Sequence, residues 1–149
     1  MGLTLNIRSL CSLPGILKII QIILALIAIA LLRRYNLEFD RGSLLGANDD
    51  YRDRQLTGTI AIGASLLISI PLLVGYVFFD AASSLLEALF CFTACTMNIA
   101  GGALAIETYK DLNHKDEAVQ AGLGMGSMMI LNALAYLIDG VTGSIRSSK

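Results

Sequence analysis

Four apolar runs, parted by short polar stretches, organise the chain: Leu13–Leu32, Thr57–Phe79, Leu85–Ile106 and Ala118–Val141. They hold 20, 23, 22 and 24 residues. A helix rises about 1.5 Å per residue, so about 20 apolar residues cross a hydrocarbon layer of about 30 Å. Lipid offers the backbone no hydrogen-bond partner, so each run must be helical. The pattern predicts an all-α integral membrane four-helix bundle, up-down-up-down, with both termini on the same side. Residues 1–149 form a single membrane domain, with transmembrane helices at about 13–32, 57–79, 85–106 and 118–141. A soluble bundle of four helices apolar on nearly all faces would leave little wettable surface.

Composition agrees with this pattern. Apolar residues make up 55% of the chain and charged ones 15%, against about 25% charge in a soluble domain. The charges are pooled between the runs. Arg8 before the first run and Ala28-Ile29-Ala30 within it suggest a signal peptide. However, the run exceeds the usual apolar region of about 7–15 residues and is followed directly by Arg33-Arg34, so a retained helix is expected. The net charge of −1 gives no indication of nucleic-acid binding. No linker, low-complexity segment or convincing internal repeat divides the chain.

Four spans place the turn Asp80–Ser84 with the termini, and the loops Arg33–Leu56 and Glu107–Glu117 opposite. The loops carry Arg33, Arg34, Arg41, Arg52, Arg54, Lys110 and Lys115, seven cations against the four of the termini side (Arg8, Lys18, Arg146 and Lys149). The positive-inside rule then puts the loops in the cytosol. The bias is modest, and no glycosylation sequon marks either side.

Lys18, Glu87 and Asp139 are the ionisable groups inside the spans. Such groups are costly in lipid and usually face protein or water. An up-down-up-down order brings all three near the termini face, where Lys18–Glu87 or Lys18–Asp139 pairing is expected. A register-fixing ion pair is the simpler reading, because all three lie within about two turns of a span end. A gate or proton relay is the functional alternative.

The stretch "EALFCFTACTMNIAGG", Glu87 to Gly102, poses the choice between a reactive site and a packing seam. Cys91 and Cys95 stand at i, i+4 on one helical face. They are poorly placed to bridge each other, and the one histidine, His114, lies in a loop far along the chain. Small residues let helices approach closely in lipid. Helix 2 carries Thr57, Ala61, Ser65 and Ser69 in an i+4 stripe, with Pro71 expected to bend it. Helix 3 continues the theme with Cys91, Cys95 and Gly102, and Asn98 can hydrogen-bond across helices. Helix 4 holds the GxxxG of Gly122 and Gly126, with Ser127 and Asn132 beyond. A tight four-helix seam is expected. Cys11 is juxtamembrane and open to palmitoylation, while "MGLTLN" is a poor myristoylation signal because Asn6 stands where Ser or Thr belongs.

No nucleophile with its base, HExxH motif, phosphate loop or metal-ligand cluster is legible. Neither enzyme activity nor a cofactor or metal is expected. The spans are too apolar for a repeated pore-lining stripe within one copy.

Three segments carry a family likeness: "ILKIIQIILALIAIALL" with its lysine, "MNIAGGALAIETY", and the glycine-rich "VQAGLGMGSMMILNALAYLIDGV" that ends near an acid. The chain resembles the arthropod Snakeskin-like proteins, relatives in architecture of the MARVEL-type tetraspan proteins. The resemblance implies a structural protein of smooth septate junctions at lateral cell contacts of the plasma membrane, supporting an epithelial barrier. Its implied partners are the lipid bilayer and other membrane proteins, a junctional tetraspanin or a single-span adhesion protein among them, with a homo-oligomer also open. It also implies cytosolic termini, against the cation count. The absence of Trp departs from the family pattern. A MARVEL-like vesicle-trafficking or lipid-sorting protein and a small transporter or channel subunit are the competing classes. The mixed-charge "NDDYRDR" of the first loop is either a contact site for a partner or a solvated segment.

Overall fold

A computed structural model describes residues 12–40, 49–79, 84–112 and 115–147. Among the described residues, four helices make up the fold: α1 (Leu13–Arg34), α2 (Asp49–Phe79), α3 (Ser84–Tyr109) and α4 (Glu117–Ser147). Each is long and apolar enough to cross a membrane. Cys11, His114 and residues 80–83 of the short turn lie outside the described residues.

Contacts between helices fix the register. Lys18 meets Asp139 and Leu31 lies beside Gly124, so α1 and α4 are antiparallel. Asn98 bonds Ser65 and Gly101 adjoins Ala61, so α2 and α3 are antiparallel. Tyr109 lies on Gly122 while Cys91 lies on Gly140, so α3 and α4 are antiparallel too. The bundle is therefore up-down-up-down, and the start of α1 and the end of α4 share one face.

The helices differ from the apolar runs at their ends. α2 starts at Asp49, two turns before the run at Thr57. The end of the first loop, residues 49–56, is thus helix that leaves the apolar layer, with Tyr51, Arg52 and Gln55 on its surface or half-buried. Hydropathy sees where the chain becomes apolar, and a helix can continue past that point into water. Pro71 sits inside α2 without ending it.

The start of the first loop also folds back on the bundle. Pro14 opens α1, where its missing N–H costs nothing. At the other end Asn36 takes a left-handed φ of 45°, which asparagine tolerates better than most residues. Leu37 N–H then closes the turn on the Leu32 carbonyl at 3.0 Å. This sends Phe39 inward, fully buried, against Gly58. A Cβ at Gly58 would sit 2.2 Å from the ring, so only glycine leaves room. The Phe39 N–H donates to Gln55 Oε1 (2.8 Å), and its carbonyl accepts from Thr108 Oγ1 (2.9 Å). Glu38 N–H donates to the Tyr109 hydroxyl at 3.0 Å.

Beneath that cap lies an apolar layer containing Ala28, Ile62, Ala105, Met125 and Met129. A second, smaller cluster of Cys91, Ala94, Cys95, Ala133 and Tyr136 lies toward the termini face. Large apolar side chains such as Ile23, Leu67, Leu89 and Leu134 point outward. That inside-out distribution suits a hydrocarbon solvent.

Candidate functional site

A buried polar column runs down the termini-side half of the bundle. Lys18 is its anchor, 0% exposed between α3 and α4. Its ammonium lies 2.8 Å from Glu87 Oε1 and pairs directly with Asp139 Oδ2. One ammonium thus holds both acids, with three rotatable donors to share between them. Asp139 Oδ2 also accepts from Gln21 Nε2 at 3.0 Å, and the Cys91 thiol lies 3.5 Å from it. Glu87 Oε2 has the Tyr76 hydroxyl at a longer 3.5 Å.

From Gln21 the column continues inward. Ser69 Oγ lies 3.2 Å from Gln21 Oε1 and 2.6 Å from the Tyr136 hydroxyl, and its single proton serves one of them at a time. Tyr136 reaches the Ser65 carbonyl at 2.8 Å. Asn98 Nδ2 closes the chain on Ser65 Oγ (2.7 Å) and on the Ala94 carbonyl (2.8 Å). All four helices contribute. Eleven residues separate Glu87 from Asn98, so the column is about 16 Å deep, roughly half the hydrocarbon thickness. Beyond Asn98 the apolar layer of Ile62, Met125 and Met129 begins.

The structure thus brings Lys18, Glu87, Asn98 and Asp139 into one network, with Lys18 held by both acids at once. Ser65 and Ser69 belong to the same network, although the sequence suggests them only as small packing residues. Gln21 and Tyr136 complete it. Gln21 stood inside an apolar run at i+3 from Lys18, and that spacing was the available signal. Cys91 touches the ion pair, Cys95 is buried one turn further along α3, and both are free thiols.

The packing residues fall on the α3–α4 and α2–α3 seams. Gly102 and Gly126 face each other: a Cβ on either would meet the other's carbonyl oxygen at 3.0 Å. Backbone cannot retreat as a side chain can, so α3 and α4 come too close here for any larger residue. Gly122 takes the Tyr109 ring, and Ala61 is buried against Gly101. Ser127 is exposed and bonds its own helix at the Leu123 carbonyl, so it is not part of the seam. Asn132 is 1% exposed, and neither amide atom has a hydrogen-bond partner. By the register of α1 and α4 it lies level with Ala25.

At the loop face Arg54 reaches Asp40 (3.9 Å) and Glu107 (3.6 Å). These are solvent-accessible pairs, each worth about 0–1 kcal/mol. Among the described residues, no group of three or more metal-ligating side chains comes together.

Four antiparallel membrane-length helices around a half-depth polar column define a four-span membrane protein. The model of the MARVEL family, described as a membrane-associating domain, matches residues 9–142, and the chain belongs to that family. No curated protein and no solved structure matches the chain.

Proposed function

We propose that the protein is a non-enzymatic organiser of the membrane, acting by helix packing and lateral association with other membrane proteins. The observation that carries this reading is the polar column's end. It stops against Met125, Met129 and Ile62 at about mid-depth, and its charges are tied up among α1, α3 and α4. A dead-ended column holds helices in register. A conduit needs a polar path through the whole layer.

The resemblance to Snakeskin-like proteins extends the reading to lateral cell contacts, with smooth septate junctions as the site of action and cytosolic termini. The test is imaging of the C-terminally tagged protein in a polarised gut epithelium. Signal confined to lateral contacts supports the junction role and directs partner capture toward adhesion proteins. Signal on intracellular vesicles refutes it and favours the family alternative, sorting of lipid or cargo during trafficking. The MARVEL membership supports either equally.

A further inference from the structure

The outer edge between α2 and α3 carries a defect that lipid cannot repair. Pro71 has no N–H, so the Leu67 carbonyl, one turn earlier, lacks its helical donor. Leu67 is 76% exposed, the highest value among the exposed large apolar residues. Beside it lies an apolar hollow of about 90 Å³ lined by Leu67, Ile68, Pro71, Leu72 and Phe90. That volume is far below the roughly 300 Å³ at which small-molecule pockets begin. It suits one aliphatic side chain. One turn beyond Pro71, Gly75 faces open space, so the hollow continues as a shallow groove.

A donor stands on the same edge at matching depth. The Asn98–Ser65 bond, and Phe90 lining the hollow together with Leu67 and Pro71, put Thr93 level with the turn between Leu67 and Pro71. Thr93 is exposed one turn from Phe90, and its hydroxyl now bonds only the Leu89 carbonyl of its own helix, at 2.9 Å. Leu89 keeps the helical N–H of Thr93, so the hydroxyl is free to turn outward. In a two-fold pair whose axis lies along the membrane normal, each residue meets its counterpart's surroundings at equal depth. The exposed Leu67 is then the knob, the hollow beside Pro71 is the hole, and Thr93 is the donor for the other copy's Leu67 carbonyl. The geometry points to a parallel homodimer formed through the α2–α3 edges, with Leu67 seated beside Pro71 and Phe90 of the second copy. Exposed Ala100, two turns along from Thr93, lets the backbones approach.

The test is energy transfer between donor- and acceptor-labelled full-length protein in liposomes, over a series of lipid dilutions. Wild type is expected to show a dilution-dependent dimer. Gly75→Leu fills the groove without touching the monomer's packing and is expected to abolish transfer while leaving thermal melting unchanged. Thr93→Val is expected to weaken association about three-fold, the usual weight of one interhelical hydrogen bond in lipid. Leu67→Ala is expected to weaken it further, and Leu134→Ala on α4 to leave it unchanged. Wild type that stays monomeric at every dilution overturns the proposal. So does a dimer indifferent to Leu67→Ala, Thr93→Val and Gly75→Leu, or a groove filled by a bound lipid in a monomer.

Discussion

Replacing Lys18 by methionine keeps most of the side chain's volume and removes its charge. Two carboxylates, both buried, would then face each other across the vacated ammonium position. Asp139 would retain Gln21 at 3.0 Å and the Cys91 thiol at 3.5 Å. Glu87 would retain only the Tyr76 contact, at 3.5 Å. Breaking a buried pair by removing one partner costs about 3–5 kcal/mol, because a charge is left uncompensated. That is a large share of the roughly 5–15 kcal/mol typical of folded domains, so Lys18→Met is expected to lower folded yield sharply. The partners then separate the causes. Adding Glu87→Gln to Lys18→Met should recover more stability than adding Asp139→Asn, since Glu87 is the less well satisfied acid. The triple variant should recover most of the loss, because no uncompensated charge remains buried. The assay is reversible unfolding in mixed micelles, followed by helix content, over the full cycle of single, double and triple variants. A Lys18→Met protein as stable as wild type refutes the reasoning. So does a triple variant no better than the single one.

Three further outcomes follow from the packing. Asn132→Leu removes a buried amide with no partner and is expected to be neutral or stabilising by about 1–3 kcal/mol, read in the same unfolding assay. Gly126→Leu forces a side chain into the Gly102 carbonyl and the Ala105 methyl, and is expected to cost at least the roughly 1–3 kcal/mol of an overpacked core, read as lost abundance and melting temperature. Phe39→Ala empties the cap over Gly58 and is expected to cost about 3–5 kcal/mol; faster hydrogen exchange at residues 37–40, with the termini-side half of the bundle unchanged, checks that the loss is local.

Hydropathy alone located the four helices, because lipid forces every apolar run of that length into one conformation. The alternation of direction then placed Lys18, Glu87 and Asp139 at one end before any contact was known. Their three-way pairing was not legible, since which acid meets Lys18 depends on helix rotation and on which helices are neighbours. Tyr136 read as apolar because its hydroxyl matters only where Ser65 and Ser69 happen to face it. The cap was missed for a different reason. Phe39, a lone aromatic in a charged loop, and Gly58, a glycine early in an apolar run, are individually ordinary. Only the turn at Asn36 brings them together. The small residues of α3 and α4 were legible as a seam, but the Gly102–Gly126 crossing needed the register between the two helices.

Under the proposed function the charged cluster holds helices together and does not carry ions. Proton and monovalent-ion flux into proteoliposomes, measured side by side for wild type and Glu87→Gln at equal folded protein, tests it most directly. Both are expected to match protein-free vesicles. Flux through wild type that Glu87→Gln abolishes, with the fold intact, would contradict it and make the column a conduction path.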